Sequence, residues 1–322
     1  MIIKKIINKI KSSRSFLITT HMNVEGDALG SALAMYALLK KLKKRAVLYL
    51  NDAVPDIYKF LPSSRMIKNT FRKERFDTVI VLDCSDSSRT GKVKDSLGCA
   101  DCIVNIDHHI SNTYFGDINW IAPQASSACQ LLYELCRQFG VMDDEIALCL
   151  YTGIATDTGN FTFSSADSRV HKIIADLMKH NIKPNRVFEN IHSACEIHDL
   201  KLITGLMASL KLDMSRKICW VAADKWEDKG FDLTEIIFSI MRLLKGVEVF
   251  MIFKQISANK VRVNFRSREY VDVNKIAKFF GGGGHRRASG TTVEGNLKAI
   301  EDKVISFVKK HAYIYKNGYK KK

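Results

Sequence analysis

Residues 78–86 read TVIVLDCSD, a run of β-branched and aliphatic residues that breaks abruptly into carboxylates. A run apolar at every position, rather than at alternate ones, is what a strand buried on both faces requires. SFLITT at 15–20, AVLYL at 46–50 and CIVNID at 102–107 follow the same pattern. Helical patterns lie between them. GSALAMYALLKKLKK, residues 30–44, combines strong helix formers with lysines in its last turn, where cations suit the helix dipole. Residues 126–140, 143–151 and 167–180 read as further helices. Strands alternating with helices predict an α/β fold with a doubly wound, mostly parallel sheet.

Residues 183–212 carry no strand signal, have Pro184 near their start and read as a helical connection. Beyond it KICWVAA (217–223), VEVFMIFKQI (247–256) and KVRVNFRS (260–267) predict strands, followed by a helix through Phe280, the run GGGGHRRASG (281–290) and a last amphipathic helix from about Asn296. The expected organisation is a first domain over 1–185, a helical linker over 186–212 and a smaller α+β domain over 213–322. A length of 322 residues accommodates two domains at roughly 150 residues each, and the 46% apolar content is that of a core-forming chain. A single small binding module is thereby excluded.

Fifty Lys+Arg against 34 Asp+Glu leave a formal charge of +16, which favours polyanionic partners at long range. The eight cysteines lie in apolar stretches of a chain too large to need disulfide staples, as expected in a reducing compartment. Cys99 and Cys102 form a CxxC, but no second pair follows, so both read as packing residues. Ile2, Ile3, Ile6, Ile7 and Ile10 recur at helical spacing and predict a surface helix packed on the first domain. No apolar run approaches the ~18 residues of a membrane span. The cytoplasm is the expected location.

In open α/β sheets ligands bind beyond the carboxyl ends of the strands. The first strand runs into His21, Glu25 and Asp27; the third ends in Asp83 and Asp86; the fourth ends in Asp107, His108 and His109. GIATDTGNF adds Asp157 near the end of a helix. Four elements thus deliver carboxylates and imidazoles to one edge, where they would repel one another without a cation. No arginine lies within these motifs. Imidazole and carboxylate without thiolate suit a first-row ion such as Mn²⁺, in numbers sufficient for two ions. Two such ions are a standard device for attack of water on phosphorus. In the second domain, consecutive glycines allow close approach to a phosphate, and Arg262, Asn264 and Arg266 share one strand face.

HMNVEGDALGS (21–31), VLDCSD (81–86), NIDHH (105–109) and ATDTGNF (155–161) resemble, in order, the four motifs of the DHH phosphoesterase family. GGGGHRRASG resembles the glycine-rich motif of the DHH-associated C-terminal domain. The length is most similar to the branch of bifunctional oligoribonucleases and 3′-phosphoadenosine 5′-phosphate (pAp) phosphatases. That resemblance implies that His21, Glu25 and Asp83 hold one Mn²⁺ and Asp27, His108 and Asp157 the other, with Asp83 bridging. It implies catalytic roles for His109, beside the metals, and for Asp107, orienting a ligand histidine. It assigns substrate binding to Arg262, Arg266, Ser267, Gly282, Gly283, Gly284, His285 and Arg286. Val24-Glu25 stands where the family usually has Pro-Asp, which is expected to alter metal affinity, and Ser289 stands where Ala is usual. The implied activity is manganese-dependent removal of mononucleotides from very short single-stranded RNA, with dephosphorylation of pAp, in a chain for which a homodimer is one expected form. Hydrolysis of linear or cyclic dinucleotides, and non-hydrolytic binding of nucleotides or single strands, stay open as alternatives.

Overall fold

The run at 78–82 lies at the centre of a five-stranded sheet, buried at every position. The computed structural model describes residues 2–70, 74–98, 100–192, 196–215, 217–224 and 233–318, with the backbone alone at 96 and 312–318. The chain divides into two compact units, Met1–Ala194 and Cys195–Lys322. In the first, the order is α1 (Ile2–Ser12), β1 (Ser15–Thr19), α2 (Gly26–Lys41), β2 (Arg45–Leu48), β3 (Thr78–Leu82), α3 (Lys94–Leu97), β4 (Ile103–Asp107), β5 (Ile118–Ile121), α4 (Ala128–Phe139), α5 (Asp144–Asp157), α6 (Ser168–Leu177) and α7 (Pro184–His192).

All five strands are parallel, in the order β2-β1-β3-β4-β5. The order reverses between β1 and β3, and an open parallel sheet binds its ligand beyond the strand ends at such a reversal. The doubly wound α/β class follows from the sequence as expected. The fifth strand, β5, has no counterpart in the sequence reading. Ile6 and Ile10 of α1 are buried, and Ile2, Ile3 and Ile7 pack at the edge of the same core, as the isoleucine spacing predicts.

One boundary differs in a way that matters. α2 begins at Gly26, not at residue 30, because the Glu25 carboxylate accepts the backbone N–H groups of Asp27 and Ala28, each at 3.1 Å, and so caps the helix. Asp27 therefore sits in the first turn of a helix rather than in a loop. α2 and α5 cross closely: a Cβ on Gly30 would lie 2.5 Å from the Cys149 carbonyl oxygen, and one on Gly153 would lie 3.1 Å from Asp27 Cα. Glycine at both positions is what brings the start of α2 and the end of α5 together.

The second unit contains α8 (Ile197–Ala208), β6 (Lys211–Leu212), β7 (Ile218–Ala223), α9 (Thr234–Met241), β8 (Val249–Ser257), β9 (Lys260–Ser267), α10 (Val273–Phe279), β10 (Gly283–Gly284), β11 (Ala288–Glu294) and α11 (Leu297–Gly318). Its mixed sheet runs β10-β11-β9-β8-β7-β6, parallel only between β7 and β8. Val261, Val263 and Phe265 of β9 enter the core while Arg262, Asn264 and Arg266 take the other face, as alternation predicts. Cys102 is buried, and Cys99 lies outside the described residues. Among the described residues no helix is long and apolar enough to cross a membrane.

Candidate metal centre

Beyond the carboxyl ends of β1, β3 and β4, three histidines are held in a common manner. His21 Nδ1 donates to the Met22 carbonyl at 2.7 Å, His108 Nδ1 to the Ala125 carbonyl at 3.3 Å, and His109 Nδ1 to Asp107 Oδ1 at 2.7 Å. An imidazole whose Nδ1–H is committed to an oxygen presents Nε2 as its ligating nitrogen. His21 Nε2 lies 3.5 Å from Asp83 Oδ2 and 3.7 Å from Glu25 Oε1. His108 Nε2 lies 3.3 Å from Asp83 Oδ1, 3.5 Å from Asp157 Oδ2 and 3.8 Å from Asp27 Oδ2.

Asp83 stands between these two groups. Its left-handed backbone (φ 51°), one residue past the end of β3, turns the carboxylate so that Oδ2 faces His21 and Oδ1 faces His108. Oδ1 is buried, lies 3.5 Å from His109 Nδ1 and makes no hydrogen bond. A buried carboxylate oxygen without a donor is costly unless a cation meets it. His21, Glu25 and Asp83 form one set whose ligand atoms all lie within 4.8 Å of one another, and Asp27, His108 and Asp157 form a second. All six residues are at least half-buried, and Glu25 is the most exposed at 44%. This donor set fits divalent metal.

The electrostatics agree. Burial and the Asp83 and Asp157 charges push Asp27 well above the usual carboxylate range. Burial likewise raises Asp157 to about 7, with His108 only partly opposing. For His21, burial favours the neutral ring, but Asp83 and Glu25 outweigh it and hold the imidazole protonated up to about 10. Metal ligation at these groups would require release of the protons that these shifts favour.

Some expected residues take other partners. Asp107, expected to orient a ligand histidine, is hydrogen-bonded to His109, while His108 is oriented by the Ala125 carbonyl. Asp86 caps the helical turn that follows it, accepting from Ser88 N at 2.8 Å. Cys84 is buried in a cluster with Leu17, Val79 and Val81 and is a packing residue. Asn105 and Asn112 were missed by the sequence reading: Asn112 Nδ2 donates to Asp107 Oδ2 at 2.6 Å and to Asn105 Oδ1 at 2.9 Å, fixing the carboxylate that fixes His109. The signal for Asn105 is a polar residue within the apolar run IVNID, and Asn112 follows it without any such pattern.

In the second unit, the glycine run is a hairpin rather than an open loop. Gly283 and Gly284 pair with Gly290 and Ser289, and His285 N donates to the Ala288 carbonyl at 2.7 Å to close the turn. Gly281 N and Gly282 N donate to Lys278 and Ala277 carbonyls, so these amides serve the fold and not a phosphate. Gly282 is required because a Cβ there would meet the Gly290 carbonyl at 2.2 Å, and Gly284 because its φ is +138°. Arg266 pairs with Glu235 and lies over the Phe238 ring at 4.9 Å, leaving its Nε without a hydrogen bond. Arg262 Nε donates to Asn264 Oδ1 at 3.3 Å. Ser267 is turned to the opposite face, where its hydroxyl donates to the Val271 carbonyl at 2.7 Å. Arg286 is exposed and His285 half-buried.

Comparison with known proteins matches residues 15–154 to the DHH family, N-terminal domain, and residues 206–310 to the DHHA1 domain. The chain is 30% identical over 296 residues to the bifunctional oligoribonuclease and PAP phosphatase NrnA of Thermus thermophilus, covering 91% of this chain and 88% of that protein. It is 23% identical over 297 residues to the protein of the same name from Bacillus subtilis, covering 90% and 92%. An exopolyphosphatase-related protein of Bacteroides fragilis has the same fold, with a TM-score of 0.89 at 24% identity over 98% of this chain and 97% of that one.

Proposed function

Since the chain belongs to the DHH family of metal-dependent phosphoesterases, we propose that it hydrolyses very short oligoribonucleotides to mononucleotides and removes the 3′-phosphate of pAp, using two Mn²⁺ ions. The observation that carries this reading is the position of Asp83, whose two carboxylate oxygens face separate imidazole–carboxylate sets. His21, Glu25 and Asp83 would hold one ion, and Asp27, His108 and Asp157 the other. When bound, such a pair supplies an acidified water and charge stabilisation for both the attacking and the leaving oxygen. The chain contributes positioning. His109, fixed by Asp107, directs Nε2 toward a phosphate oxygen and manages its proton. The backbone amides of Ala128 and Cys129 donate to Asp27 at 2.6 and 2.9 Å and keep that carboxylate from rotating.

Substrate selection is assigned to the second unit. Arg262, Arg266, His285 and Arg286, set on β9 and on the turn closed by the glycine hairpin, suit a phosphorylated nucleotide better than inorganic pyrophosphate, because they extend over one strand face and its adjoining turn. Glu235 and Phe238 hold the Arg266 guanidinium in a fixed plane, suited to a phosphate. The relatives named as oligoribonucleases and PAP phosphatases support this substrate class. The test is incubation of the purified protein and Mn²⁺ with a labelled diribonucleotide, a longer single-stranded RNA, pAp and pyrophosphate. Fast turnover of the diribonucleotide and pAp is expected, with slower attack on the long strand. Binding of these ligands with no turnover of any would overturn the hydrolase reading.

A further inference from the structure

Phe279, at the end of α10, is 63% exposed, an uncommon position for a phenylalanine. It is one end of a pile of rings. Phe279 stacks on Phe307 of α11 with centroids 4.1 Å apart and planes 21° apart, and Phe307 stacks on His311 at 3.9 Å and 21°. Phe280 meets Phe279 and Phe307 edge-on, at 86° and 74°, and so fixes the pile from the side. Near-parallel rings at this spacing repeat the geometry of stacked nucleobases.

The surrounding charge is positive. Across residues 273–279 and 297–311 lysines outnumber acids six to two. Both acids are already engaged: Glu301 accepts from Lys211 and Trp220, and Asp302 pairs with Lys298. Lys303 and Lys310 flank Phe307 at helical spacing, placing both on the same face of α11, and Lys303 Nζ lies 6.0 Å from the Phe280 ring. Lys278 is exposed beside Phe279. A second copy of this face would set like charges against one another, whereas a polyanion with π-faces complements both features. The pile is also continuous in sequence with the glycine hairpin, since Phe279 and Phe280 lead directly into Gly281.

We propose that Phe279, Phe307 and His311, rimmed by Lys278, Lys303 and Lys310, form a stacking platform for nucleotides of single-stranded RNA beyond those held for hydrolysis. The proposal rests on the nucleotide reading given above and extends it to longer strands. Its test is fluorescence anisotropy with a labelled single-stranded RNA of about eight nucleotides, within the span such binding surfaces cover, in EDTA so that nothing is cleaved. Phe279→Ala is expected to weaken binding about tenfold, and the surface double variant Lys303→Gln/Lys310→Gln to reduce the salt dependence of binding. Hydrolysis of a diribonucleotide in Mn²⁺ should stay within about twofold of wild type in both, since the platform lies outside the proposed site. Unchanged affinity and salt dependence in both variants would overturn the platform. So would a change in sedimentation of Phe279→Ala with RNA affinity unaltered, which would give the face to a second copy. Weakened RNA binding by Phe279→Ala, alongside a wild type that turns over no diribonucleotide, would support the platform and overturn the hydrolase reading.

Discussion

Asp107 shows how much a single residue's role depends on its partners. Its Oδ1 accepts from His109 and its Oδ2 from Asn112, so it touches no histidine of the two ligand sets. Asp107→Asn should therefore leave the bound manganese at wild-type level while lowering kcat roughly 10–100-fold, the usual scale for loss of an outer partner of a metal site. Metal analysis beside steady-state kinetics checks this, and loss of metal would assign Asp107 to ligation instead. The carboxylates and histidines of the site were legible because each follows an apolar strand run or sits among small residues. Which oxygen orients which ring was not, since it depends on distances between β4, its following loop and residue 125. Glu25 illustrates the same limit: its residue type announced a ligand, but its second use, capping α2, appears only once the helix is seen to begin at Gly26.

At the level of elements, the α2–α5 crossing sets the position of Asp157. Gly30→Ala would gain up to about 1 kcal/mol of helix propensity, but its Cβ meets the Cys149 backbone at 2.5 Å, and overpacking of this kind costs about 1–3 kcal/mol. Net destabilisation, with weaker manganese binding as α5 shifts, is expected in urea unfolding and metal titration. Gly205→Ala in α8, where a Cβ would meet nothing within 4 Å, should instead stabilise modestly. Asp143 caps α5 by accepting from Ile146 N at 2.9 Å and pairs with Lys41. Burial alone would raise its pKa, but these partners outweigh it and hold the carboxyl below its ordinary value. Its stabilising contribution is thus present above the unfolded pKa of about 4 and lost as pH falls through the lower folded value. Asp143→Ala should cost about 1 kcal/mol at neutral pH, with the difference from wild type shrinking in unfolding measurements at progressively lower pH. The hairpin at 281–290 is not legible in its glycines, because glycine repeats report permissive backbone without saying what fills the space. Here the space is filled by β11.

On the scale of the whole molecule, the parallel sheet was foreshadowed by four apolar runs, while β5 and α9 were missed because each is short and lacks a clear period. The charge of +16 is distributed so that carboxylates and imidazoles meet beyond the strand ends of the first unit, while lysines crowd helix faces elsewhere. The central claim is that Asp83 joins two divalent metal sites that perform the hydrolysis. The most direct measurement is manganese content together with diribonucleotide turnover, on chelator-stripped wild type and on Asp83→Ala, before and after Mn²⁺ is restored. The wild type should lose activity on stripping and regain it with about two ions per chain. Asp83→Ala should bind less metal and stay inactive; retention of both at wild-type level would contradict the claim.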